Sequence, residues 1–182
     1  LPEQIDFSTV AAYEAWLERL ETLPTYLEQT TALLREGAAQ QRTQPRVLME
    51  RVVPQLQMHL VATPEESPFY AQFRQFPDAI PAADRERLTA RARDVIGTRV
   101  LPAYRKFDAF FRTEYLPKTR ETVGIWDTPD GAAYYADRAR YFTTTELTPA
   151  EIHEIGLQEV ARIQREMQQV MDEVGFEGTR QE

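Results

Sequence analysis

The stretch "LTARARDVIGTRVLPAYRKFDAFFRTEYLPK", Leu88 to Lys118, decides the fold. Leu88, Val95, Ile96, Val100, Tyr104, Phe107, Phe111 and Tyr115 recur at helical intervals and form one apolar stripe. The pattern predicts a long helix that starts near Ala82, bends at Pro102 and ends between Lys118 and Glu121. The turn "GIWDTPDG" (Gly124–Gly131) follows, and then two more helices, from Ala132 to about Phe142 and from Pro149 to Val174.

Upstream the same periodicity returns. Thr9 reads as an N-cap for a helix carrying Val10, Tyr13, Trp16, Leu17 and Leu20. Leu23-Pro24 punctuates it, and a second helix places Leu27, Thr30, Leu34 and Ala38 in register. Thr43 and Pro45 open a third, with Leu48, Val52 and Leu56 as its buried row and a kink at Pro54. Between Thr63 and Pro81, four prolines and the rings of Phe69, Tyr70, Phe73 and Phe76 read as an irregular loop pinned to the core. Strand signals are almost absent. The expected architecture is all-α: about six or seven kinked antiparallel helices in a bundle-like array, without significant sheet, as one helical domain over residues 1–182.

Composition sets the outer limits. With 182 residues, 42% hydrophobic and 27% charged, the chain is long enough for a substantial core and ordinary for a globular domain. No apolar run approaches the roughly 20 residues of a membrane span. Net charge is −8, with basic residues dispersed among acids, which disfavours nucleic acid as a partner. There is no cysteine, hence no thiolate ligand or nucleophile. Both a cytoplasmic and an exported location remain open, since the chain begins Leu1-Pro2 without an initiator Met.

Helix-terminal chemistry is most explicit in "TTTELTPAEIHEIGLQEV", Thr143–Val160. Thr148 suits the N-cap, Pro149 the first helical position, and Glu151 completes a capping box, with Leu147 and Ile152 as a hydrophobic staple. Gly175 suits a left-handed ending, with Phe176 returning to Met171. The expected buried row of this helix is Ile152, Gly156, Val160, Ile163, Met167, Val170 and Val174.

His153-Glu154 invites a zinc reading, but four residues after His153 stands Leu157, where a zincin requires a second histidine. Three residues before His153 and His59 stand Ala150 and Leu56, so a Glu-x-x-His carboxylate site fails as well. His59 is expected in the last turn of its helix, partly charged and favoured by the helix dipole. Neither serine lies in a nucleophile elbow, and the dispersed glycines form no phosphate loop. No catalytic residue and no metal ligand is assigned. The run Thr143-Thr144-Thr145 reads as the end of one helix before the next cap. Tyr134, Arg138 and Tyr141 share a helix face beside Tyr135, an arrangement able to grip a carboxylate or a peptide chain. Equally, tyrosines bury their rings and bond outward to water, and His153 reads first as a structural histidine beside Leu157; on the other reading Tyr134, Tyr135, Arg138 and His153 are the substrate-binding candidates.

The segment "PDGAAYYADRARYFTTTELTPAEIHEIGLQEVARIQREMQQVMDEVGFEG" closely resembles the bacterial domain of unknown function 885 family. Its Tyr-Tyr pair, the Thr-Thr-x-Leu-Thr-Pro-x-Glu-Ile-His-x-x-Gly run and Glu-Val-x-Arg-Ile carry the likeness. "IDFSTVAAYEAWLERLETLPTYLEQTTALLREG", "QPRVLMERV" and "VLPAYRKFDAFFRTEYLP" resemble the same family's upstream helices. The resemblance implies a helical fold akin to gluzincin metallopeptidases. It also implies a longer parent whose C-terminal half carries a His-Glu-x-x-Pro-Gly-His-His zinc motif. That motif is absent here, and "GFEGTRQE" reads as a point where a family member continues. The expectation is a cleft-forming N-terminal portion of a zinc-dependent hydrolase-like protein, inactive alone, whose partner is the missing half. The alternative is an interaction module that closes a homodimer or binds a partner through an exposed apolar row.

Overall fold

A computed structural model describes residues 5–179, leaving residues 1–4, Leu1-Pro2 among them, and the last three residues of the "GFEGTRQE" tail outside the described part. The described residues are helical almost throughout, with one isolated parallel bridge between Pro45 and Arg120 and no strand. The all-α expectation holds. Contacts divide the chain into two compact units, Leu1–Val123 and Gly124–Glu182.

The first unit is organised by α1 (Val10–Ala39), which starts where Thr9 Oγ1 accepts from the Ala12 amide. Here the sequence expectation of two helices is corrected: α1 runs through Pro24 without a break. A proline inside a helix costs about 3 kcal/mol. Tyr13, Leu17 and Leu20 before it and Leu27 after it are all buried. At roughly 1.5–3 kcal/mol per buried large side chain, keeping both halves in one register outweighs the lost bond. Leu23 packs against both clusters of the core and joins them.

The third expected helix is also corrected. It forms two short pieces, α2 (Arg46–Met49) and α3 (Val52–Gln57), parted at Glu50-Arg51. Pro54 has no amide to donate to the Glu50 carbonyl, and its ring crowds that carbonyl, so the helix restarts and leaves Pro54 in the first turn. Leu48 is consequently exposed, while Leu56 is buried. In the proline-rich segment, the two 3₁₀ helices Pro64–Glu66 and Pro68–Phe73 direct Tyr70 and Phe73 into the core.

The predicted long helix is present, but it is not uniformly α. It runs as α4 (Ala82–Val95), a π-turn over Ile96–Val100, α5 (Leu101–Phe110), a second π-turn over Phe111–Tyr115, and a last 3₁₀ turn over Leu116–Lys118. In the wide turns the Leu101 amide donates to Ile96 O and the Leu116 amide to Phe111 O. Each is followed at once by a proline, Pro102 or Pro117. The sequence repeats the device, Thr98-Arg99-Val100-Leu101-Pro102 and Thr113-Glu114-Tyr115-Leu116-Pro117. Both threonines turn a hydroxyl back to the carbonyl four residues earlier, Thr98 to Asp94 O (2.8 Å) and Thr113 to Ala109 O (2.7 Å). Widening the turn moves the backbone that a proline ring would otherwise strike, and the hydroxyl supplies a donor to a carbonyl there. α1 packs along α4, the first wide turn and α5.

In the second unit, a 3₁₀ turn (Ile125–Asp127) leads to α6 (Gly131–Thr143) and α7 (Pro149–Glu173). α7 is capped as expected. Glu151 N donates to Thr148 Oγ1 (3.2 Å) and Thr148 N to Glu151 Oε2 (2.7 Å), which completes the capping box. At the other end the Gly175 amide reaches Asp172 O and the Phe176 amide reaches Met171 O, with Gly175 at φ +66°, a Schellman ending. Its expected buried row is corrected. Val160, Ile163, Met167, Val170 and Val174 are all exposed, and a Cβ added at Gly156 would meet nothing within 4 Å.

Candidate functional site

The site candidates on α6 are placed by the turn that precedes it. Gly131 is buried, and a Cβ there would strike the Ile125 carbonyl, so the turn requires glycine. The Gly131 amide donates to Thr128 O (2.8 Å), and the Thr128 hydroxyl donates to Ile125 O (2.7 Å). This tight turn sets the Trp126 ring edge-on to Tyr135, with centroids 5.8 Å apart.

One turn further on, the Arg138 guanidinium lies over the rings of Tyr141 (4.9 Å) and Tyr134 (5.9 Å). The i,i+4 and i,i+3 spacing thus brings these three side chains together, with a cation bracketed by two phenols. Arg138 also donates through Nη2 (2.6 Å) and Nε (3.2 Å) to Asp137 Oδ2, while Asp137 Oδ1 accepts from Arg140 (3.2 Å). The hydrogen bond from Arg138, then its charge, holds the Asp137 carboxyl below its ordinary range, and Asp137 in turn raises Arg138. Tyr134, Tyr135 and Tyr141 are exposed, so the group faces solvent. An anion arriving at Arg138 would compete with Asp137 for the same donors, a neighbour that sequence spacing alone does not weigh.

His153 lies on the first turns of α7 and is exposed. Among the described residues, no hydrogen bond or ring contact joins it to Tyr134, Tyr135 or Arg138. Nearby, Thr143 donates to Ala139 O (2.8 Å), its hydroxyl lies 3.0 Å from that of Thr145, and Thr144 takes a left-handed conformation at φ 55°. The threonine run therefore terminates α6.

His59 occupies a different environment from the expected one. Its ring packs against both Tyr104 (4.3 Å) and Phe69 (5.1 Å), which also touch each other (5.9 Å), and its Nδ1 is buried without a hydrogen-bond partner among the described residues. Burial pushes its pKa down, so the imidazole favours the neutral form. The expected dipole-favoured charge is overridden by desolvation in this aromatic cluster. A metal ligand set does not assemble either. Among the described residues, no three of His, Asp or Glu come together as an ion site. The donors present among the described residues do not fit zinc.

A second feature was missed from sequence. Between α1 and α5 runs a groove of about 800 Å³, whose lining includes Pro24, Leu27, Pro102, Phe107 and Phe110. Two ion pairs cross it, Lys106 to Glu28 (2.8 Å) and a two-pronged Arg35 to Glu114 (2.7 and 2.9 Å), with Arg35 4.8 Å above the Phe110 ring. Thr98 and Thr113 of both wide turns line it. The only sequence signal was the repeated Thr-x-x-Leu-Pro element. No helix among the described residues is long and apolar enough to cross a membrane.

The family "Bacterial protein of unknown function (DUF885)" matches residues 1–182. The chain belongs to this family. No curated protein matches the sequence. The DUF885 chain is similar in structure to a solved protein described as "the putative lipoprotein from Colwellia psychrerythraea". The TM-score is 0.77 at 24% identity, over 96% of this chain. At that identity the likeness speaks for the fold. The DUF885 chain spans only 30% of the length of that protein.

Proposed function

We propose that residues 1–182 form the N-terminal, cleft-shaping part of a longer zinc-dependent peptidase-like DUF885 protein, with the metal held by downstream residues. The observation that carries this reading is Arg138, bracketed by Tyr134 and Tyr141 on an exposed face beside the Trp126–Tyr135 pair. A fixed cation among aromatic faces suits the carboxylate and side chains of a peptide-like substrate. The short share of the solved relative that the chain spans supports a longer protein. On this reading the metal ligands belong to the part of the protein downstream of these residues.

On this reading the residues in hand bind and orient. Arg138 would exchange its bond to Asp137 for one to a substrate carboxylate, the rings of Tyr134 and Tyr141 would keep the guanidinium in place, and Tyr135 and His153 would extend the wall. Zinc would supply an activated water in the parent and not in this chain.

The test uses the full-length gene product. It should contain stoichiometric zinc and hydrolyse peptides, whereas residues 1–182 alone should do neither. Arg138→Ala should raise KM about tenfold or more with kcat little changed, as loss of a charge-assisted contact predicts. A zinc-free, inactive full-length protein, or an unchanged KM, would refute the proposal.

A further inference from the structure

We infer that the exposed apolar face of α7 is the seam against which the downstream part of the same longer polypeptide folds. This rests on the reading of the chain as part of a longer protein, but not on that protein's chemistry.

α7 is completed at both ends by a capping box and a Schellman ending, so its shape does not depend on a neighbour. Its length, however, is uncovered. Val160, Ile163, Met167 and Val170 stand between 45% and 57% exposed. They share one side of the helix with Ile152 and with Gly156, whose missing side chain leaves room for a close-packed backbone.

The two borders of this side differ. One carries the ion-paired Glu159, Arg162 and Glu166, in which Arg162 reaches both carboxylates at 2.7 Å. The other continues through His153, Leu157, Gln164 and Met171, with no Asp, Glu, Lys or Arg among them. At about 100° per residue the arc from Ile152 and Val170 across this side to Leu157 holds no Asp, Glu, Lys or Arg and spans roughly 140° of the helix. One partner helix needs a narrower a/d seam, so the width favours a body of several elements. The solved relative leaves more than two thirds of its own chain outside the match, ample to provide such a body.

The chain supplies its own reporters. Met167 is 48% exposed on the face, and Met58, 61% exposed in the first unit, serves as the reference. Under dilute hydrogen peroxide, Met167 in residues 1–182 should form sulfoxide at a rate similar to Met58. In the full-length protein it should react at least tenfold more slowly, as followed by peptide mass spectrometry. Independently, Ile163→Glu should lower the melting temperature of the full-length protein by 5 °C or more. It should shift residues 1–182 by less than about 2 °C, and Ala161→Glu on the opposite side should move neither.

Equal Met167 rates in the two proteins would overturn the inference. So would a full-length protein indifferent to Ile163→Glu. If residues 1–182 sediment as a concentration-dependent dimer that Ile163→Glu dissolves, the face belongs to a second copy and the inference falls. Zinc content and peptide hydrolysis of the full-length protein are scored separately, so failure of the proposed function leaves these readouts intact.

Discussion

The two units solve opposite problems. In the first, the helical segments carry Pro24, Pro54, Pro102 and Pro117 within them but are held by what they bury, Tyr13, Leu17, Leu88, Ile96 and Val100 being almost wholly hidden. In the second, α7 is locally well formed, with both ends closed by its own side chains and backbone, and no residue of it is buried. Among the described residues of that unit, only Gly131 is buried. Tertiary packing overrides poor local propensity in one unit, and local capping defines a helix without packing in the other.

The contrast can be broken by mutation, and the largest effect belongs to the core. Leu88→Ala, at a fully buried position, should cost about 2–5 kcal/mol in denaturant unfolding. Ile163→Ala at an exposed position of α7 should cost about 0.5 kcal/mol in residues 1–182. A comparable loss at both sites would mean that α7 already has a cover. Next in size is the cap: Thr148→Ala should remove about 1 kcal/mol, read as faster amide exchange in the first turn of α7, with the core of the first unit unmoved. Gly175→Ala, which forces a side chain to φ +66°, should fray the other end by about 1 kcal/mol.

The smallest effect sharpens the comparison through pH. His59 has its folded pKa pushed below the ordinary imidazole value of about 6.5, so the unfolded chain binds the proton more readily. Its contribution to stability is therefore complete above about pH 6.5 and is lost as pH falls from there through the folded pKa. Unfolding between pH 7.5 and 5.5 should show a modest decline that His59→Phe flattens. A decline of unchanged size in the variant would place its origin elsewhere.

What sequence made legible follows the same division. The caps of α7 were readable because Thr148, Pro149, Glu151 and Gly175 act on backbone within four residues of themselves. The apolar stripe of the long helix was readable because most of it obeys one period. Pro24 was misread as a boundary, since the contacts that carry α1 through it come from distant residues such as Leu88 and Tyr104. The face of α7 was misread as buried because amphipathicity shows which side could be covered, not whether a cover is present. At the candidate site, spacing correctly grouped Tyr134, Arg138 and Tyr141, but His153 sits on another helix with no hydrogen bond or ring contact to them among the described residues. The α1–α5 groove was illegible, because a crevice depends on how two separated segments fail to close.

The two wide turns have a bearing on how the length of this chain can vary. Each of them closes with a hydrogen bond across five residues, Leu101 N to Ile96 O and Leu116 N to Phe111 O, where an ordinary helix bonds across four. Each turn thus carries one residue more than the α geometry needs, while the flanking faces stay aligned. Loss of a single residue at exposed Arg99 could be absorbed as a return to regular winding. The same loss within α4, at Ala90 for example, would rotate every later side chain by about 100° and turn the stripe out of the core. The helix contains, in effect, two places where a one-residue change in length need not propagate.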